Sequence, residues 1–285
     1  MALYGGKMAR IPMGSDVPTF SLDEKKISFT IAQSTRELNE AYSLVYDLYV
    51  ESGYIAPSPS RWRLLSYNAL PTTVTLIAKY GTTIVATLTN NRDSALGLPV
   101  DAIVDLSLLR KRGVIGECSA LAVAPAYRSH RREILFPLCQ YALHFAKNAQ
   151  AIDHLAFAVH PRLTPYFDVL PPFRKITLDP IEDPKYVNGA PAVVYAISLH
   201  EALRQEKAEG IEGALFAFFD PPSAAMYMPK ITTSPFRQFR SKGQMKFFFE
   251  DLLGTFSSRE IGIIEFENSA RNVNSESRRE DGHAG

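Results

Sequence analysis

The chain has 285 residues, 46% of them apolar, with 31 Lys+Arg against 30 Asp+Glu. That length supports one sizeable core or two small ones, and the near-balance of charge excludes a binding mode driven by bulk electrostatics, to nucleic acid or to a membrane surface. No run of about 18 apolar residues is present, and Gly and Pro interrupt residues 1–20 where a signal peptide needs its apolar stretch, so a soluble cytoplasmic protein without an integral membrane segment is expected.

Residues 1–25 mix Gly, Pro, Ser and charge and are expected to form a loose N-terminal arm. ISFTIA (27–32) alternates as a strand does. Ser34 or Thr35 then caps a helix running through LNEAYSLVYDLYVESG, with Glu37 in its first turn and Gly53 as its stop. Leu38, Ala41, Leu44, Val45 and Leu48 recur along it at helical spacing. VTLIAKYGTTIVATLTNN (74–91) reads as two strands joined at Tyr80-Gly81, and residues 92–113 as irregular, then briefly helical. GECSALAVAP (116–125) is a strand, and EILFPLCQYALHFAKNAQ (133–150) an apolar helix with Pro137 in its first turn. HLAFAVHP (154–161) is a strand, residues 163–170 a short helix, and AVVYAISL (192–199) a last strand.

The hairpin implies antiparallel pairing, and the crossover through helix 133–150 implies a parallel pair. The expected fold is therefore α+β, an α/β three-layer arrangement with a mixed central sheet flanked by helices over residues 26–200. Residues 201–267, with a helix expected at 200–209 and the aromatic stretches ALFAFFD and MKFFFEDLL, are expected to form a C-terminal helical and aromatic extension that either packs on the core or presents a partner-binding face. The polar stretch 268–285 is expected to be disordered.

One junction carries chemistry. In ECSALAVAPAYRSHRREI (117–134) a single carboxylate, Glu117, sits on an otherwise apolar strand that runs into Arg128, His130, Arg131 and Arg132. Glu117 is either an edge-of-core carboxylate held by hydrogen bonds or a group with a raised pKa, because a buried charge without donors is costly. The basic cluster is either a solvated turn or an anion site, since a helix N-terminus offers unpaired amides and the positive end of the dipole. Cys118 and Cys139 lie among apolar residues and read as buried free thiols. The six His residues show no ligand spacing with Cys or carboxylates, so no metal is expected. The basic cluster lacks interleaved aromatics, so no nucleic acid is expected either.

The order strand, basic loop, helix, with strands before and after, resembles the GNAT acyltransferase superfamily. AYSLVYDLYVESGYI, DSALGLPVD, ECSALAVAPAYR and HPRLTPYFDVL follow in the order expected of long-chain N-acyl amino acid synthases of the FeeM type, relatives of the acyl-homoserine-lactone synthases. ECS at 117–119 is similar to the Glu-x-Ser of that group's central strand, and the resemblance covers roughly residues 27–200. It implies a GNAT-like fold and amide formation: an amine attacks a thioester carbonyl and a thiolate leaves. Glu117 is then the expected base, directly or through a water. Tyr166 is the candidate acid for the leaving sulfur, with a core aromatic as the alternative reading.

Backbone N–H groups of Leu121, Ala122 and Val123 are expected to bind the pantetheine arm and the thioester oxygen, and Arg128, Ser129, His130, Arg131 and Arg132 its phosphate. No Gly stands between Arg128 and Glu133 to let backbone close on a pyrophosphate. That fits the single phosphate of a carrier-protein phosphopantetheine, and an acidic acyl carrier protein would meet these arginines by charge complementarity. Acyl-ACP, or else acyl-CoA, is thus the expected co-substrate, with no tightly bound cofactor. Ala120 stands where the homoserine-lactone synthases carry Arg, which argues against S-adenosylmethionine.

Ser119 and Arg92 are the candidates for binding an amino-acid acceptor. Arg110 and Arg162 are equally compatible with its carboxylate, and Tyr46 and Tyr49 either face the cleft or pack. A CoA-dependent N-acyltransferase of a small amine and a non-catalytic acyl-binding scaffold are the competing readings.

Overall fold

The computed structural model describes residue 23 and residues 26–169, 173–182, 190–202 and 257–267, with the Arg132 side chain outside that set. Most of the expected N-terminal arm, the aromatic stretches ALFAFFD and MKFFFEDLL, and the expected disordered tail lie outside the described residues.

Strands β1 (Ile27–Ile31), β2 (Thr73–Tyr80), β3 (Thr83–Arg92), β4 (Ile115–Val123), β5 (His154–Val159), β6 (Phe173–Lys175), β7 (Ile181–Glu182) and β8 (Pro191–Ser198) form a mixed sheet. Its order is β1-β2-β3-β4-β5-β8-β6, with β7 on β8. All pairings are antiparallel except β4 with β5. The longer helices are α1 (Thr35–Glu51) and α3 (Arg131–Asn148); α2 (Ser107–Arg110), α4 (Thr164–Phe167) and α5 (Leu199–Ala202) are single turns, and α6 spans 258–267.

Strand alternation produces the three layers. Val74, Leu76 and Ala78 of β2 face α3, where they meet Leu138, Tyr141 and Phe145. Ile77, between them in sequence, faces the other way and packs with Leu38, Ala41 and Tyr42 of α1. Ser34 caps α1 by accepting from the Glu37 amide at 3.2 Å, while Glu37 accepts in return from the Ser34 amide at 3.3 Å. Gly53 at φ +74 ends α1 in the left-handed conformation that glycine tolerates. Ile264 of α6 is buried in the α1 cluster.

Helix α3 departs from expectation. It begins at Arg131, after a 3-10 turn over Pro125–His130, so Pro137 lies inside the helix instead of in its first turn. The missing N–H leaves the Glu133 carbonyl without its usual partner four residues on. The short β6 and β7 went unforeseen, since two or three residues carry no alternation. No helix among the described residues is long and apolar enough to cross a membrane.

Two features of β4 position the site. Its parallel ladder to β5 spans only Ile115–His154, Gly116–Leu155 and Glu117–Ala156, and beyond that pair the strands separate. On the β3 side, Thr89 pairs with Ser119 but Thr87 with Ala122, so Ala120 and Leu121 both stand opposite Leu88 in a β-bulge. Ala120 sits at φ +51, a left-handed conformation that costs a non-glycine residue about 1–2 kcal/mol.

Candidate active site

The opening between β4 and β5 is a cavity of ≈ 390 Å³ with mostly apolar walls. Tyr49 comes from the last turn of α1 and Tyr54 from just beyond it, Cys118 and Leu121 from β4, Cys139 and Leu143 from α3, Phe157 from β5, and Leu163 and Phe167 from the turn before α4 and from α4 itself. Phe157, Phe167, Phe173 and Tyr195 form one aromatic cluster, with centroid distances of 5.2–6.0 Å, that stiffens one flank.

A second, smaller cavity of ≈ 50 Å³ adjoins it, lined by Tyr42, Arg63, Tyr67, Asn68, Asn91 and Glu117 among others. Tyr49, Ser119 and Ala120 line both. A polar pocket holding the strand carboxylate therefore meets an apolar chamber at the bulge of β4.

Glu117 has no exposed surface, and its Oε2 accepts from the Val100 amide at 2.7 Å. Val100 belongs to DSALGLPVD, whose Leu98 and Val100 pack with Ile115, Ala156 and Val194 over the Glu117 face of the sheet. Ser119 is held by a relay: Thr73 donates to Asn91 Oδ1 at 3.1 Å, and Asn91 Nδ2 donates to Ser119 Oγ at 3.0 Å. Because the hydroxyl oxygen already accepts, the Ser119 proton is directed elsewhere.

Tyr49 is half-buried; desolvation raises its phenol above the ordinary range, with the Arg63 guanidinium opposing and Glu117 adding. Arg63 lies 5.9 Å from the Tyr49 ring centroid, in cation–π range. Both thiols are free and half-buried, and they line the large cavity. Their full burial was expected, but the parted strands expose them to the cavity. Desolvation pushes Cys139 up to about 12, and raises Cys118 with further contributions from Cys139 and Glu117, so both stay protonated.

The backbone donors follow from the ladder. Ala124 N donates to Val85 O at 2.8 Å, which makes that pair and Ala122–Thr87 the hydrogen-bonded ones on the β3 side. Leu121 and Val123 therefore turn their amides toward the open edge. Ala122, grouped with them from sequence, turns its amide to β3 instead.

Other sequence candidates take different places. Tyr166 is 68% exposed and lines neither cavity, because Leu163 and Phe167, one turn apart, occupy the inward face of that segment. Arg92 donates to the Gln150 carbonyl at 2.9 Å and lines neither cavity. Arg110 is committed to Asp93 and Asp101, and Arg162 is exposed beside α4. Tyr46 packs, its hydroxyl bonded to the Ser58 amide and carbonyl, whereas Tyr49 faces both cavities.

Arg128 pairs with Glu51 at 2.9 Å across the end of α1. Ser129 and Arg131 are exposed and His130 half-buried at the opening of α3. No group of three or more potential metal ligands occurs among the described residues.

Arg63, Tyr67 and Asn68 were not foreseen. Nor was the polar stripe Thr87, Thr89 and Asn91, although its i, i+2, i+4 spacing on an apolar strand marks one lined face.

The mixed sheet parted at β4 and β5, with a buried carboxylate beside the opening, defines an N-acyltransferase of GNAT-like fold. Residues 40–198 match the model of the family described as N-acyl amino acid synthase FeeM, and the chain belongs to that family. Among solved structures it is similar to FeeM, an N-acyl amino acid synthase from uncultured soil microbes. The two share 20% identity and a TM-score of 0.52 over 61% of this chain and 93% of that one. A CoA-dependent acyl-homoserine lactone synthase, MesI, aligns at 12% identity and a TM-score of 0.48, over 71% of this chain and 99% of its own. No curated protein matches the sequence.

Proposed function

We propose that the protein transfers a long-chain acyl group from the phosphopantetheine thioester of an acyl carrier protein to the amine of an amino acid, releasing an N-acyl amino acid and free thiol. The observation that carries this reading is the meeting of the Glu117 pocket with the apolar cavity at Tyr49, Ser119 and Ala120.

The acyl chain lies in the aromatic-flanked cavity and the pantetheine arm follows the open edge of β4. The amides of Leu121 and Val123 hydrogen-bond the arm and the thioester oxygen, stabilising the charge that develops there. The phosphate meets the first turn of α3 with Ser129, His130 and Arg131, and an acidic carrier protein docks against the same positive end.

The acceptor occupies the small pocket. Its carboxylate is held by Arg63, which takes the role expected of Arg92 because it is the arginine lining that pocket. Glu117 removes the ammonium proton, directly or through a water, and the amine attacks the carbonyl carbon. The nitrogen of the tetrahedral intermediate still carries one proton too many, and it passes this proton to solvent. As the intermediate collapses, the C–S bond breaks and the thiolate takes a proton from Tyr49, which lines both cavities and whose raised pKa keeps it protonated. Tyr49 regains its proton from solvent, while Glu117 releases the one it took.

The test is incubation of the full chain with long-chain acyl-ACP, or with acyl-CoA of equal length, and a pool of amino acids. Thiol release and N-acyl products are followed by mass spectrometry. Turnover is expected with acyl-ACP, in preference to acyl-CoA, and a sharp loss in Glu117→Gln at unchanged fold. A folded preparation that releases no thiol with any acceptor overturns the reading.

A further inference from the structure

The loop DSALGLPVD (93–101) is closed by one guanidinium. Arg110 Nε and Nη2 donate to Asp93 at 2.7 and 2.9 Å, and Nη1 donates to Asp101 Oδ1 at 2.9 Å, with Nη2 also reaching Asp101 Oδ2. One arginine thus ties both ends of a nine-residue loop by paired, charge-assisted bonds. Asp101 in turn accepts from the Leu98 amide at 2.8 Å. Gly97, at φ +76, leaves room for this carboxylate: a Cβ there would stand 2.6 Å from Asp101 Oδ2. Between Leu98 and Asp101 lies Val100, with no exposed surface, whose amide reaches Glu117 at 2.7 Å.

We propose that Asp93, Asp101 and Arg110 are positioning residues for the acyl-transfer carboxylate: their clasp holds the loop in the one shape that aims the Val100 amide at Glu117. The inference rests on reading Glu117 as the base. A carboxylate buried on the sheet has to be oriented by donors from outside its own strand, and the clasped loop supplies one. An N–H donated to the ionised form also stabilises it.

Among the described residues, the ionisable groups about Glu117 include Tyr42 and Tyr49 on α1, Arg63 in the following loop, Tyr67 in the 3-10 turn Ser66–Ala69, Cys118 on β4 and Asp101 itself.

The test reads the carboxyl directly. Full-length protein carrying glutamate labelled with 13C at the side-chain carboxyl is titrated by NMR, the Glu117 resonance being assigned by its absence in Glu117→Gln. Wild type is compared with Asp101→Asn and Arg110→Gln. Removing the Asp101 charge would by Coulomb interaction alone lower the Glu117 midpoint. Loss of the aimed amide predicts the opposite, a rise of about one pH unit in both variants, with turnover down about tenfold and the KM for acyl donor within about twofold.

An unchanged or lowered midpoint in folded Asp101→Asn overturns the proposal. Asp93→Asn, read the same way, decides the matter should Arg110→Gln fail to fold. A raised midpoint with Glu117→Gln still at the wild-type rate would instead remove Glu117 as base while leaving the clasp in place.

Discussion

Gly116 precedes the buried carboxylate of Glu117, and its role is space. A Cβ built there would stand 2.8 Å from the Asn91 carbonyl oxygen and 2.6 Å from Ile152 Cδ1. The Ile152 terminus can swing away, but Asn91 O is backbone in the neighbouring strand. Gly116→Ala must therefore part β3 from β4 by about 0.2–0.6 Å to regain a contact of 3.0–3.4 Å. Overpacking of this kind costs about 1–3 kcal/mol, a fall in Tm of roughly 2–12 °C for a domain of this size.

The strain falls one residue from Glu117 and on its ladder partner Asn91, which also holds Ser119. A displacement approaching 1 Å can cost about a hundredfold in rate, so turnover should fall about three- to thirtyfold. Thermal unfolding and thiol release on the same preparation measure both. Adding Ile152→Val should rescue little, since the backbone contact persists. Full rescue by that second change, or wild-type Tm and turnover in Gly116→Ala alone, would refute the reasoning.

Tyr49→Phe is expected to cut turnover at least tenfold while Tyr166→Phe stays within about twofold; the reverse order in single-turnover thiol release would return the acid's role to Tyr166. Asn91→Leu leaves the Thr73 and Ser119 hydroxyls without the amide that joins them and should destabilise by about 2–5 kcal/mol in urea titration; a loss under about 1 kcal/mol would show the relay to be dispensable. Burial pulls the Glu37 carboxyl upward, but the Gln33 and Ser34 amides and the Lys79 ammonium prevail and hold it below the usual range. Its stabilisation is therefore full above the unfolded value of about 4.3 and is lost as pH falls through the lower folded value. Glu37→Gln should flatten the fall in Tm between about pH 5 and 3, and equal slopes in the two proteins would contradict that.

The order of elements was legible because the apolar spacing switches cleanly between strand and helix periods, as at ISFTIA and the helix after it. Glu117 stood out as the one carboxylate on an apolar strand. What the sequence hid was phase and tertiary neighbourhood. Tyr46 and Tyr49 lie three residues apart on one helix, and only the docking of α1 on the sheet sends one to Ser58 and the other to the cavities. Tyr166 and Phe167 are adjacent, yet a single residue of helical rotation puts one in solvent and the other in the aromatic flank. Arg63 and Tyr67 come from a stretch without periodicity, so nothing local marked them. The bulge at Ala120 was equally hidden, because alanine at positive φ is dictated by the pairing of β3 with β4 and not by alanine itself.

The seam between β4 and β5 has a mechanical consequence. Three residue pairs join an antiparallel half, β1 to β4, to a second half built on β5, β8 and β6. If the pantetheine arm binds there as proposed, it would act as a surrogate strand, its own amides stitching the two halves beyond the Glu117–Ala156 pair. Donor engagement would then stiffen the sheet, and slowed deuterium uptake at Leu121 and Val123 would register the closing of the stitch.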